Sequence, residues 1–178
     1  QELINQKLSN DISEQEIAEY YGKNKELFKL ETPLIKGLFI KVPLTAPQLN
    51  NVRRWYKSDK QDAVESLEKY SLQNAVKYEY FYDKWVSVTD VLDMIPLKVE
   101  APEEYVDKHR QVELKDTAYY YFLNVSDYRG IGEEKPYEFA RSEVKDLLVN
   151  QKRVSFMEQV KNDLYQQAVS KKKIIYNY

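Results

Sequence analysis

Apolar positions recur along this chain in two rhythms, one near 3.6 residues and one near 2, and prolines mark several of the changes between them. Residues 1–11 are polar with apolar positions at Leu3, Ile4 and Leu8, which predicts the tail of a helix. Ser13 and Glu16 have capping-box spacing, in which hydroxyl and carboxylate satisfy free N–H groups reciprocally, and Ile12 and Ile17 flank them at staple positions. Ile17, Tyr20, Tyr21, Leu27 and Phe28 then share one face of a predicted helix of about 15 residues, with Pro33 at its exit. The β-rich run 34–42, held between Pro33 and Pro43, predicts a strand.

Thr45-x-x-Gln48 predicts the start of a second helix carrying Leu49, Val52, Trp55 and Tyr56. Ser58-x-x-Gln61 predicts a third, with Val64, Leu67 and Tyr70 inward. Residues 78–82 alternate as a strand does, and 87–95 predict a short helix stopped by Pro96. Another short helix is expected over 103–110, two strands over 112–114 and 118–125 around a turn at Lys115-Asp116, and a loop over 128–132. Pro136 opens a long helix, at a position where its missing N–H does no harm. Tyr137, Ala140, Val144, Leu147, Leu148, Val154, Met157, Val160, Leu164 and Ala168 keep the helical period to about residue 171. Such a helix outruns a small sheet domain and is expected to pack on the N-terminal helices. Ile174-Ile175-Tyr176 predicts a strand-like tail. The element order gives an α+β fold with a four-stranded antiparallel sheet covered by helices, because hairpin-linked strands do not make a parallel sheet.

Composition narrows the chemistry. Among 178 residues there are no Cys, one His, four Gly and 16 Tyr. That excludes a zinc cluster, an iron–sulfur site, a thiol nucleophile and a haem motif, and leaves any metal to carboxylates alone. No metal or other cofactor is expected. None of the four glycines makes a phosphate cradle. The net charge of −2 argues against nucleic acid as the main partner, since such binding rests on neutralised phosphates. No apolar run approaches the ~18–20 residues of a membrane span. The chain begins with Gln and shows no signal segment, so it is read as a mature or trimmed piece. The paired acids Glu103-Glu104 and Glu133-Glu134 precede predicted helices and suit their positive ends, and residues 171–173 suit a helix C-terminus. His109, in a charged helical stretch, is expected to be solvated rather than catalytic.

Three stretches carry a family resemblance. EQEIAEYYGKNKELF at 14–28, LIKGLFIKV at 34–42 and the helix KPYEFARSEVKDLLVNQKRVSFMEQVKNDLYQQA at 135–168 together resemble the parvulin-type peptidyl-prolyl isomerases and SurA/PpiC-type periplasmic chaperones. The resemblance covers both ends of the chain; 44–116 agrees only in element order. It implies a helical segment of a chaperone-type domain over 1–30, a parvulin-like domain over 31–127, and a long helix with its tail over 128–178 packing back on the N-terminal helices. It also implies a periplasmic or cell-envelope location, with unfolded or outer-membrane proteins as clients.

The family's active members carry a His in the first strand and a second in the last. Here Gly37 or Leu38 stands at the first place and Tyr121 at the second, within Tyr119-Tyr120-Tyr121-Phe122-Leu123. His109 matches neither. An X–Pro bond isomerises over a barrier of ~18–20 kcal/mol, and lowering it needs placed donors and acceptors in a closed pocket. Loss of both imidazoles removes them. The expectation is therefore a folding factor that binds peptide with weak or no isomerase activity. An active isomerase using other polar groups, and a non-catalytic structural or assembly module, are the alternatives. The candidate peptide-binding residues are Leu38, Phe39, Phe81, Trp85, Met94, Tyr119 and Tyr121, with no catalytic residue among them. Tyr78, Tyr80 and Tyr82 are expected on one sheet face, with Tyr119 and Tyr121 on another; these rings either fill the core with hydroxyls at the rim or line a groove.

Overall fold

The computed structural model describes residues 2–175. They form seven α-helices and four strands, and the chain divides into two compact units, 1–28 with 134–178 and 29–133.

In the first unit, α1 (Glu2–Asn10) and α2 (Glu14–Lys23) pack on α7 (Tyr137–Ile175). Ser13 caps α2, its hydroxyl accepting from the Glu16 amide at 3.1 Å. The reciprocal half of the box is not formed, for the Glu16 carboxylate turns to Lys152 on α7, 3.5 Å away. The helix stops at Lys23 rather than running to Phe28. There the Asn24 amide and side chain both bond back to the Tyr20 carbonyl, and 25–27 make a single tight turn. Ile12, Ile17, Phe28, Ala140 and Val144 form the core. Tyr21 stacks on Phe28 and donates its hydroxyl to the Lys135 carbonyl at 2.6 Å. The Arg141 guanidinium pairs with the Glu14 carboxylate through both oxygens. Ile174 and Ile175 belong to α7 rather than to a strand, and Tyr176 lies outside the described residues.

The second unit is a four-stranded sheet in the order β2-β1-β4-β3, antiparallel throughout. Its strands are β1 (Leu34–Pro43), β2 (Lys77–Ser87), β3 (Gln111–Lys115) and β4 (Tyr119–Arg129). Helices α3 (Leu49–Trp55) and α4 (Gln61–Asn74) join β1 to β2, and α5 (Val88–Leu92) and α6 (Pro102–Lys108) join β2 to β3. Side chains alternate across a strand, so each face gathers its own core. Leu38, Ile40, Val42 and Phe122 pack with Val52, Tyr56, Leu67 and Tyr70 under α3 and α4. Ile35, Phe39, Phe81, Tyr121, Leu123 and Val125 pack with Val88, Val91, Ile95 and Val106 of the α5–α6 side. β1 is covered on both faces, which is why its sequence is an almost unbroken apolar run.

Several predicted bounds move. The second helix begins at Leu49, not Thr45: the chain turns after Pro43, Gln48 takes a left-handed conformation (φ 59°), and no side chain caps the helix. The third begins at Gln61, with the Ser58 hydroxyl accepting from the Lys60 amide instead of capping. β2 runs on to Ser87 and β4 to Arg129, so the segment at 128–129 is strand before it is loop. The irregularity lies between Ile35 and Gly37. Ile35 pairs with Val86 and Gly37 with Phe81, so residues 82–85 of β2 bulge opposite Lys36 alone. Gly37 has no room for a side chain: a Cβ there would sit 2.0 Å from the Asn124 carbonyl oxygen and 3.3 Å from the Phe81 ring.

Candidate functional site

On the α5–α6 face, β2 is the edge strand, and α5 lies against it. Between them is a depression of about 320 Å³. Phe81 and Val86 from β2, Val91 from α5 and Met94 from the turn after it supply its apolar lining. Lys77, Glu79, Lys84 and Asp90 surround it with both signs of charge. Residues three apart at a helix end face the same way, which is how Val91 and Met94 come to meet Phe81. Phe81 is almost fully buried, whereas Met94 is half-buried. The arrangement suits an apolar side chain entering from solvent with its backbone left near the charged rim.

The seven residues expected from sequence do not converge. Phe81 and Met94 share this depression. Phe39 lies in the core of the same face, wholly buried. Leu38 does not belong with them: it faces the opposite side of the sheet, fully buried beneath α3 and α4, because its neighbour Phe39 takes the α5–α6 face. Trp85 sits in the β2 bulge, with the Lys36 ammonium and the Arg129 guanidinium each 4.9 Å from its ring. Tyr119 and Tyr121 stand together at the β3–β4 hairpin, edge to face at 6.4 Å. Val86, Val91 and the charged rim were not singled out by sequence, since isolated valines and scattered charges have the composition of any core and surface.

The two positions at which the sequence resemblance implies imidazoles, Gly37 or Leu38 at the first and Tyr121 at the second, differ in their surroundings. Gly37 lies against the Asn124 backbone, and any side chain there would collide with it; Leu38 is buried on the opposite face. At the second, Tyr121 is engaged in structure. Its hydroxyl donates to Asp116 Oδ2 at 2.6 Å, while Asp116 Oδ1 accepts from the Ala118 and Tyr119 amides at 2.8 Å each. This is an Asx-type turn closed by a phenol. The Tyr121 hydrogen bond, then the two amides, hold the Asp116 carboxyl below its ordinary pKa. The same carboxylate, then burial, pushes the Tyr121 phenol up to about 12. The Lys41 ammonium lies 4.3 Å from the Tyr119 ring and 5.4 Å from that of Tyr121. The Tyr121 phenol, held by Asp116, is not free to serve a bound amide. His109 is exposed at the end of α6, stacked 3.9 Å on Tyr105.

The tyrosines of β2 lie on the other face. Tyr82 accepts a 2.8 Å hydrogen bond from the buried Asn124 amide, and burial raises its pKa despite that bond. The Tyr78 hydroxyl is buried with no partner among the described residues, and burial pushes it up to about 12. Tyr80 is exposed. These rings therefore cover the α3–α4 core and do not reach the depression.

Among the described residues, no group of three or more His, Cys, Asp or Glu is placed to hold a metal ion, and no helix is long and apolar enough to cross a membrane. No protein-family model matches the chain, and no curated protein is similar to it in sequence. A similar solved structure comes from the SurA-like chaperones PEB4, a virulence factor, and Cj1289, a periplasmic protein, of Campylobacter jejuni. The TM-score is 0.36 at 9% identity, covering 93% of this chain and 67% of that one. At that score the likeness is too slight to carry fold or function across.

Proposed function

We propose that this protein is a folding factor of the cell envelope that binds unfolded or outer-membrane client chains through an apolar side chain seated against Phe81, Val91 and Met94, with weak or no prolyl isomerisation. The cell-envelope location rests on the sequence resemblance. The observation that supports the binding mode is the contrast within one sheet face. An apolar depression stays open beside the edge strand, while the positions at which an isomerase of the resembled family would carry imidazoles hold either Gly37, without space, or Leu38, buried on the other face, and a phenol tied to Asp116. The depression offers contact area and the rim offers charge of both signs, which suits varied sequences rather than one ligand. Among the described residues, the charged groups beside it are the exposed Lys77, Glu79, Lys84 and Asp90 of the rim, not donors held in a closed pocket as stabilising a twisted amide requires.

The test uses the full chain and two assays. A fluorescein-labelled unfolded peptide bearing aromatic and aliphatic residues is titrated by anisotropy against wild type and Met94→Glu. A prolyl-peptide isomerisation assay is run on the same samples. The expected result is saturable peptide binding that falls at least fivefold in Met94→Glu, with no turnover above the uncatalysed rate. Robust isomerisation abolished by Met94→Glu would overturn the non-catalytic reading. Binding unaffected by Met94→Glu would overturn the site.

A further inference from the structure

The long helix α7 has two halves of different character. Its proximal half buries Ala140 and Val144 in the core with Ile12, Phe28 and Ile17 of α2, with Leu148 packed beside them. Beyond residue 153 almost every side chain is exposed. Val154 is 50% exposed, Met157 47% and Leu164 61%. These are not scattered. Val154, Met157, Lys161, Leu164 and Ala168 follow one another at intervals of 3, 4, 3 and 4, the spacing of a two-helix seam, with the exposed Val160 and Tyr165 beside it and Phe156 further round. At 3.6 residues per turn this seam lies about 100° round the helix from the Ala140–Val144 stripe, toward the side where Leu3, Gln6 and Ser9 of α1 border a groove with Asp146, Val149, Asn150 and Arg153. Beyond Arg153 the side chains on that side are exposed. A contiguous exposed apolar stripe of this kind marks an interaction surface.

The charges specify what fits it. From Arg153 to Lys172, the seam and the positions flanking it carry Arg153, Lys161, Lys171 and Lys172, against the single acid Glu158. A parallel second copy in register would set Lys161 upon Lys161. An antiparallel copy would bring Arg153 beside Lys171 and Lys172. Both arrangements oppose like charges at close range. A helix with its own apolar stripe, an acid opposite Lys161 and acids along its flanks would meet complementary charge throughout.

We propose that the distal half of α7 docks a separate acidic amphipathic helix, pairing along Val154, Met157, Leu164 and Ala168, with Lys161 reading an acid in the middle of the partner's stripe. This surface is independent of the sheet depression and stands whether or not clients bind there.

The probe is a fluorescein-labelled synthetic peptide of three heptads, with Leu at the seam except for one central Glu and with Glu at the flanks. A control peptide has Lys at every Glu. Both are titrated against the full chain by anisotropy. The acidic peptide is expected to bind at least thirtyfold more tightly than the basic one and to weaken at least fivefold in 0.5 M salt. Lys161→Glu should reverse the preference, and the double variant Met157→Glu with Leu164→Glu should lose at least tenfold in affinity. Circular dichroism and thermal unfolding should be unchanged in both variants, because these side chains are exposed. Equal binding of the two peptides, or binding of neither, overturns the proposal. So does self-association in sedimentation that the double variant abolishes, which would make a second copy the occupant. Binding to phosphatidylglycerol vesicles without binding to the acidic peptide would assign the stripe to a lipid surface and overturn it as well.

Discussion

Gly37→Ala tests whether the close approach of β1 and β4 leaves room for a side chain at position 37. The added Cβ would sit 2.0 Å from the Asn124 carbonyl oxygen and 3.1 Å from its carbonyl carbon, where ordinary contact is about 3.5 Å. The neighbour is backbone, so no rotamer change relieves the clash; β1 and β4 must part by about 1.5 Å, at a point where Gly37 pairs with Val125. Overpacking of this kind costs about 1–3 kcal/mol and occasionally more. Replacing glycine stiffens the unfolded chain and returns about 0.4–1 kcal/mol. The clash wins, for a net loss of about 2 kcal/mol. In a unit of this size that lowers Tm by roughly 10 °C. Trp55 and Trp85 both lie within 29–133, so tryptophan fluorescence during urea and thermal unfolding reads this unit directly. Gly37→His should be worse still and should gain no isomerase turnover. A Gly37→Ala variant within 0.5 kcal/mol of wild type, or a stable Gly37→His variant that isomerises prolyl peptides, would refute the reasoning.

Three further outcomes are expected. Tyr78→Phe removes a buried hydroxyl that has no partner; it should be neutral or stabilising by up to about 1 kcal/mol in urea unfolding. Tyr82→Phe does the opposite, stripping the buried Asn124 amide of its acceptor, and should cost about 1–3 kcal/mol by the same measurement. Tyr121→Phe should alter the pH dependence of stability at both ends. The folded pKa of Asp116 is depressed, so its contribution is present above the unfolded carboxylate pKa and is lost as pH falls through the folded value. The folded pKa of Tyr121 is raised to about 12, so its contribution is present below the ordinary phenol pKa and is lost as pH rises from about 10 to 12. Thermal unfolding followed from pH 2 to 12 should show the acid-side loss reduced and the alkaline loss from this pair removed in Tyr121→Phe.

Much of the fold is legible in the sequence because its signals are local. A β-rich run between two prolines is enough for β1, and Tyr alternation is enough for the first half of β2. Thr45-x-x-Gln48 misplaces the start of α3, because a capping pattern costs only two residues and is overridden here by the turn after Pro43. The second half of β2 is hidden because residues 82–85 bulge, and a bulge breaks alternation. Which of Leu38 and Phe39 shares the face of the depression is hidden too, because in a strand covered on both sides the apolar run is continuous and only the packing of the sheet assigns the faces. Tyr121 is visible as a residue standing where an imidazole is expected. Its actual task requires Asp116 to be seen as a turn residue with its second oxygen free, five positions earlier. Val86 and Val91 are brought together only by the packing of α5 on the sheet edge.

The sheet has two edges, and both are unsuited to further pairing. β3 spans only Gln111–Lys115. β2 is longer, but its ladder breaks at the four-residue bulge, and Lys77, Glu79, Asp83 and Lys84 stud it with exposed charge. Short, bulged and charged edges resist templating by another chain. For a protein proposed to work among unfolded polypeptides, that amounts to immunity. On that proposal, sticky, strand-forming chains would be held at the side of the sheet without its own backbone being recruited into their aggregates.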